Sequence, residues 1–257
     1  MVRFVSLISG SSGNSSLISD GDTTILIDCG MSGAMLKQKL SEVQIAPEDI
    51  SAILVTHEHS DHTKGVGIAS RRYGLDIYAS AGTLMNMQVG KIDAQYIHTV
   101  EPNKMFSVGT IDVIPFDIPH DAAEPFGYNL FIDEKKYTVA TDIGYVPDTL
   151  YKNLDGSDYI ILESNHDEQM LKIGSYPMYL KKRILGKFGH MSNDLTAETA
   201  TRLASTGTKH IMLAHLSNEN NTPEIAEITT KSALCGAGYG NIDLSVASRY
   251  ELSTFKN

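Results

Sequence analysis

In the stretch Thr56-His57-Glu58-His59-Ser60-Asp61-His62, three histidines and Asp61 fall within six residues, directly after the apolar run Ile53-Leu54-Val55. Imidazole nitrogen and carboxylate oxygen are the ligands of borderline and hard divalent cations, and neutral imidazole is the commonest of them. Side chains on an extended stretch alternate with period two, so His57 and His59 point the same way and are placed to grip one ion. Asp61 and His62, at the start of the next turn, are re-aimed toward a second.

Three further residues stand at the ends of apolar runs. His120 follows the alternating run 113–119, Asp142 follows Tyr137-Thr138-Val139-Ala140-Thr141, and His215 follows Ile211-Met212-Leu213-Ala214. Rigid strands fix geometry and their ends face an open cleft, which is where a site belongs. One such residue means little, since strands often end in a polar residue; three of them after the first cluster point to a shared metal centre.

The elements that must position these residues follow from periodicity and punctuation. Strands are predicted over 3–8, 15–18, 24–27, 52–55, 76–78, 95–98, 110–115, 128–132 and 137–141, then over 159–162, 210–214 and 242–246. Helices are predicted over 33–40, with Leu36 and Leu40 four apart, over 63–72 with a stop at Gly74, and over 167–172, 178–187, 193–204 and 223–235. Ser192 is a suitable N-cap for the helix that begins at 193. Two halves, each of strands followed by helices, predict an α/β (α+β) chain: two sheets covered by helices on both outer faces. The 257 residues are read as a single domain, 1–257.

Composition narrows the setting. No run of eighteen apolar residues exists, so no membrane partner is expected. The N-terminus carries one positive charge and a short apolar stretch that breaks at Gly10, which reads as a first strand and not a signal peptide. Cys29 and Cys235 are too few for a disulfide framework or a cysteine zinc site, which fits a reducing cytoplasm. The net charge of −10 argues against a generic nucleic-acid binder. It does not exclude a nuclease, because two bound divalent cations add positive charge where a phosphate must sit.

The pattern His57-x-His59-x-Asp61-His62, then His120, Asp142 and His215, resembles the signature of the metallo-β-lactamase superfamily across nearly the whole chain. The resemblance implies a four-layer αββα sandwich with a binuclear site between the sheets. His57, His59 and His120 would hold one ion, Asp61, His62 and His215 the other, and Asp142 would bridge them. Asp28 matches the early aspartate that supports the histidine loop without binding metal. Aspartate and not cysteine at the bridging place departs from the true lactamases and points to phosphoester or ester hydrolysis. The blocks Ser9-Gly10-Ser11-Ser12-Gly13-Asn14, Glu163-Ser164-Asn165-His166-Asp167 and Gly189-His190-Met191-Ser192-Asn193 resemble the YycJ/WalJ-like branch of that superfamily. That branch comprises bacterial metal-dependent nucleases related to RNase Z, with 5′-to-3′ DNA exonuclease activity.

What this implies is phosphodiester cleavage of a DNA substrate by a metal-activated bridging water, which Asp61 orients or deprotonates. His190 would protonate the leaving group or contact the phosphate, with Glu163 orienting it. His166 is read three ways: a substrate contact, a completion of the metal shell, or a helix cap. Asn14 and its glycine-serine loop either present donors to a phosphate or simply turn the chain, and Ser217 and Asn218 are weaker candidates for the phosphate pocket. His98 and His210 are read as ordinary. Nitrogen and oxygen ligands without sulfur accept Zn²⁺, Mn²⁺ or Fe²⁺. The chain lacks room for the long arm of RNase Z or a β-CASP insertion, and lacks the helical domain of glyoxalase II. The rival readings are a small-molecule hydrolase of the same fold (thioesterase, lactonase or cyclic phosphodiesterase) and a non-hydrolytic metal-binding sensor or redox protein. The sequence names no protein partner.

Overall fold

A computed structural model describes residues 2–255. They form two compact units, one running to Asp117 and taking in Ala122–Asp133 and Ser248–Thr254, the other comprising Ile118–Asp121, Glu134–Ala247 and Phe255.

The first unit is built on a seven-stranded mixed sheet. Strands β1 (Arg3–Ile8), β2 (Ser15–Ser19) and β3 (Thr24–Ile27) run antiparallel; β4 (Ala52–Leu54), β5 (Asp76–Ala79) and β6 (Ile97–Thr99) continue parallel to β3, and Ser253–Thr254 pairs with the free edge of β1. The runs Thr24-Ile25-Leu26-Ile27 and Ala52-Ile53-Leu54 are buried throughout, as parallel strands covered on both faces require. Leu26 pairs with Ile53 and Ile53 with Ile77, so one apolar row crosses three strands. Helix α1 (Gly33–Glu42) buries Leu36 and Leu40 as their spacing predicts, and Ser32 caps it by accepting from the Met35 amide. Strands β7 (Phe106–Val108), β8 (Ile111–Asp117) and β9 (Phe126–Ile132) add an antiparallel meander to the same unit.

The helix expected over 63–72 is in fact two, α2 (Ser60–Thr63) and α3 (Val66–Tyr73). The break lies at Gly65, whose N–H donates to the Cys29 carbonyl and where a Cβ would sit 2.3 Å from the Met31 carbonyl oxygen. The segment after β3 therefore presses on the chain just beyond His62. The predicted stop holds: Gly74 has φ +68°. The strand expected over 95–98 begins later, because Ala94–Tyr96 is a single 3₁₀ turn. Helix α4 (Ala81–Asn86), capped by Ser80, is too short to show a period in sequence.

The second unit carries four parallel strands, β10 (Lys135–Ala140), β11 (Tyr159–Glu163), β12 (His210–Ala214) and β13 (Asp243–Val246), paired in that order. Its helices are α5 (Asp148–Leu154), which sequence periodicity missed, α6 (Glu168–Ile173), α7 (Met178–Ile184), α8 (Asn193–Ser205) and α9 (Pro223–Gly236). Ser192 caps α8 by accepting from the Leu195 amide, as its sequence predicts. Among the described residues no helix is long and apolar enough to cross a membrane.

Cys29 is fully buried in the first unit, and burial pushes its thiol up to about 12, whereas Cys235 is exposed. A thiol reagent at pH 8 is expected to titrate one cysteine in the native chain and both in denaturant. Two fast thiols in the native chain would contradict the packing around Cys29.

Candidate metal centre

In the first unit the cluster hangs from the ends of β3 and β4. Asp28 follows β3 with φ +61°, a left-handed conformation that costs a non-glycine residue on the order of 1–3 kcal/mol. This twist turns its carboxylate under the histidine loop. Oδ1 accepts the Thr56 amide at 2.8 Å, and Oδ2 accepts the Thr56 hydroxyl at 2.8 Å and His62 Nδ1 at 2.7 Å. His62 therefore carries its proton on Nδ1 and leaves the lone pair of Nε2 available. The Asn14 amide confirms this tautomer, because its Nδ2 lies 3.1 Å from His62 Nε2 and can only donate. The Thr56 hydroxyl, having given its proton to Asp28, accepts from His57 Nδ1 at 3.0 Å. His57 Nε2 is thereby left as an acceptor, and it converges with His59 Nδ1 to 3.0 Å. Asp61 opens α2, with Oδ2 3.5 Å from His62 Nε2 and 3.4 Å from the Asn14 amide.

The second unit repeats the device around Glu163, the fully buried last residue of β11. Its Oε1 accepts His190 Nδ1 at 2.8 Å and His215 Nδ1 at 2.9 Å; its Oε2 accepts the amides of Ile143 at 2.6 Å and Met191 at 3.1 Å. Burial by itself raises a carboxyl pKa, but the His190 charge and the bonds from His190 and His215 outweigh it and hold Glu163 at about 2. Asp142 and His215, both at strand ends, have φ of +61° and +58°. Asp142 Oδ1 lies 3.5 Å from His215 Nδ1, 3.6 Å from His190 Nδ1 and 3.8 Å from His120 Nε2. His120 donates from Nδ1 to the Gly189 carbonyl at 3.1 Å, and burial lowers its pKa, so the neutral ring keeps the Nε2 lone pair. Gly144 lets these loops meet: a Cβ there would lie 2.2 Å from the Lys187 carbonyl oxygen, and its amide donates to Pro119.

Within the first unit, then, Asn14, Asp28, His57, His59, Asp61 and His62 come together; within the second, His120, Asp142, Glu163, His190 and His215 do. Asn14 is tied to Asp61 and His62, with its Oδ1 held by the Gly10 amide. His166 is buried, and among the described residues neither ring nitrogen has a hydrogen-bond partner. Burial pulls its pKa down to about 4. The helix cap at this block is Asp167, which accepts the Met170 amide, so the capping role read for His166 belongs to its neighbour. The Ser217 hydroxyl accepts from the Asn220 amide, and Asn218 is exposed. His98 stacks on Tyr78 and pairs with Asp76, while His210 stacks on Tyr159 and pairs with Asp243. Sequence reasoning missed the Thr56 hydroxyl, the Gly189 carbonyl and the hold of Glu163 on His215. Backbone acceptors and hydroxyls carry no spacing signal.

The donor set suits divalent cations. His57, His62, His120 and His215 each have Nδ1 held by an oxygen acceptor, which fixes the tautomer and the ring plane of a metal-ligating imidazole. Asp142, Glu163, His190 and His215 each offer a ligand atom within 4.8 Å of the others.

The beta-lactamase superfamily domain matches residues 23–216. The chain belongs to the beta-lactamase superfamily. This member is 41% identical to the exodeoxyribonuclease WalJ of Streptococcus pneumoniae serotype 2 (strain D39 / NCTC 7466) over 249 residues, 95% of this chain and 93% of that protein. It is 39% identical to the exodeoxyribonuclease YycJ of Bacillus anthracis over 243 residues, 93% and 91% of the two chains. Among solved structures it resembles the metallo-β-lactamase fold protein YhfI from Bacillus subtilis, with a TM-score of 0.72 and 16% identity over 99% of this chain and 100% of that one. It also resembles Zn²⁺-bound PqqB from Methylobacterium extorquens, with a TM-score of 0.73 and 17% identity over 98% and 99%. The superfamily member therefore has the metallo-β-lactamase fold, the α/β sandwich class that its motifs predict.

Glu163 yields a pH test. Its folded pKa lies below the free value of 4.5, so it stabilises the fold fully above that value and loses the contribution as pH falls toward 2. A shift of this size corresponds to an effect on the order of 3 kcal/mol. In denaturant titrations with EDTA, the stability gap between wild type and Glu163→Gln is expected to narrow from pH 6 to pH 3. A gap independent of pH would show that Glu163 is not ionised against the two histidines.

Proposed function

We propose that this chain is a metal-dependent exodeoxyribonuclease. His57, His59, Asp61 and His62 of the first unit and His120, Asp142 and His215 of the second would hold the divalent ions. The observation that carries this reading is the pair of carboxylates, Asp28 and Glu163, each buried behind imidazoles and aimed at Nδ1. Purely structural histidines do not need a fixed lone pair on the far nitrogen. Zn²⁺, Mn²⁺ and Fe²⁺ all suit such ligands. Such ions, when bound, would supply Lewis acidity for activating a water and stabilising charge on a phosphoryl group.

The chain's own residues do the rest. Asp61, partly exposed and steadied by Asn14, takes the proton of the attacking water at a carboxylate oxygen. His190 has Nδ1 fixed by Glu163 and is the least buried histidine of the second cluster, so Nε2 remains to protonate the departing 3′ oxygen or bind its phosphate. Glu163 positions His190 and His215 together. His166, Ser217 and Asn218 contribute to the substrate pocket. The close relation to two exodeoxyribonucleases over nearly the whole chain supports DNA as substrate over a thioester or lactone. Two free cysteines, Cys29 and Cys235, fit a cytoplasmic setting.

With Mn²⁺ or Zn²⁺ added, the wild-type chain is expected to release mononucleotides from 5′-phosphorylated DNA, and EDTA is expected to abolish release. His190→Ala should retain both ions by elemental analysis yet lose about 10²- to 10⁴-fold in rate, the usual worth of a positioned proton donor. Turnover of a thioester without nucleotide release would move the chain to the small-molecule reading. Unchanged nuclease activity in His190→Ala would remove that residue from the mechanism.

A further inference from the structure

Residues 169–193 contain no aspartate or glutamate and five basic residues, Lys172, Lys181, Lys182, Arg183 and Lys187, in a chain whose net charge is −10. This segment forms α6 beyond its first residue, all of α7 and the loop that delivers His190. It also carries large apolar side chains left in water: Tyr179 is 75% exposed, Met178 66% and Phe188 53%. Tyr179 and Lys182 are three apart on α7 and so share a face, with Arg183 one turn on from Tyr179.

The charges differ in their commitments. Arg183 is bound to Asp121 and Lys172 to Glu168. Lys181 donates only to the carbonyls of Lys172 and Gly174, while Lys187 lies 5.2 Å over the ring of Tyr145. Among the described residues Lys181, Lys182 and Lys187 form no ion pair with a carboxylate. Uncompensated ammonium groups interleaved with exposed aromatic rings are what a single strand needs, phosphates meeting the lysines and unpaired bases the ring faces. A duplex hides those base faces, so the aromatic component selects for a single strand.

The surface is fixed to the proposed centre. The Phe188 carbonyl accepts the Asp121 amide, the Gly189 carbonyl accepts His120 Nδ1, and the His190 amide donates to Ile184 at the end of α7. A strand lying along α7 and Phe188 thus runs on a rigid track that ends two residues from His190.

We infer that the face formed by Tyr179, Lys182, Lys187 and Phe188 binds single-stranded DNA and feeds its end to His190. The inference rests on the nuclease reading of the neighbouring centre, and a binding readout in EDTA lets the two fail separately. The experiment measures fluorescence anisotropy of a labelled oligodeoxythymidine with the full chain in EDTA across a salt series. Lys182→Gln combined with Lys187→Gln is expected to lower the slope of log affinity against log salt by about 1.4, at about 0.7 per phosphate contact on a single strand. Tyr179→Ala and Phe188→Ala should each weaken binding about fivefold or more, and Tyr179→Phe should restore it. Lys231→Glu, an exposed change on α9, should leave affinity unaltered. Wild-type affinity in all the α7 and Phe188 variants overturns the inference. So does binding of phosphatidylglycerol vesicles, and no oligonucleotide, through these residues.

Discussion

An imidazole presents a lone pair only from the nitrogen that carries no proton, and in water the two tautomers interchange freely. The constraint on which this structure depends is the removal of that freedom. Asp28 holds His62 through Nδ1, and Glu163 holds His190 and His215 in the same way. The Thr56 hydroxyl and the Gly189 carbonyl do so for His57 and His120. The far nitrogens of His57, His62, His120 and His215 are therefore aimed and unprotonated before any ligand arrives, whereas His190, whose charge lowers Glu163, keeps a proton on its far nitrogen to give. The arrangement is costly to the fold: three carboxylates, Asp28, Asp142 and Glu163, are buried, and Asp28, Asp142 and His215 all sit at positive φ. Such costs persist where the surroundings over-determine them, and here strands β3, β10 and β12 end at or next to the strained residues.

Glu163 shows how one buried carboxylate can serve two purposes. The His190 charge, together with hydrogen bonds to both oxygens, keeps it ionised despite its burial. By sharing one oxygen between His190 and His215 it couples a proposed acid to a proposed ligand. A change at either histidine is felt by the other through this oxygen, so single substitutions here will not add independently. The negative charge of the chain finds its counterpart in the same region, because the strongest run of uncompensated lysines leads directly into the His190 loop.

Much of this was legible in sequence, for reasons that differ by residue. Candidate ligands at strand ends follow apolar runs, so His120, Asp142 and His215 stood out in sequence beside the dense cluster of His57, His59, Asp61 and His62, while Asp28 was singled out by the superfamily resemblance. The strands read at 24–27, 159–162 and 210–214 were legible because parallel buried strands are largely apolar runs. The break between α2 and α3 was not, since it depends on how closely Gly65 approaches Met31, a contact made by residues far apart in the chain. The acid-free stretch 169–193 was open to a simple count of charges, but whole-chain composition masks it. The Thr56 and Gly189 contacts required coordinates.

Calorimetric titration of the EDTA-stripped full chain with Mn²⁺ tests the proposed pair of braced ion sites most directly. Wild type should bind two equivalents, and Asp28→Asn, which removes the anionic brace behind His62, should weaken one of them by about 10- to 100-fold while leaving the other. Binding of fewer than two ions by the wild type, or an Asp28→Asn isotherm that overlays it, would contradict the account.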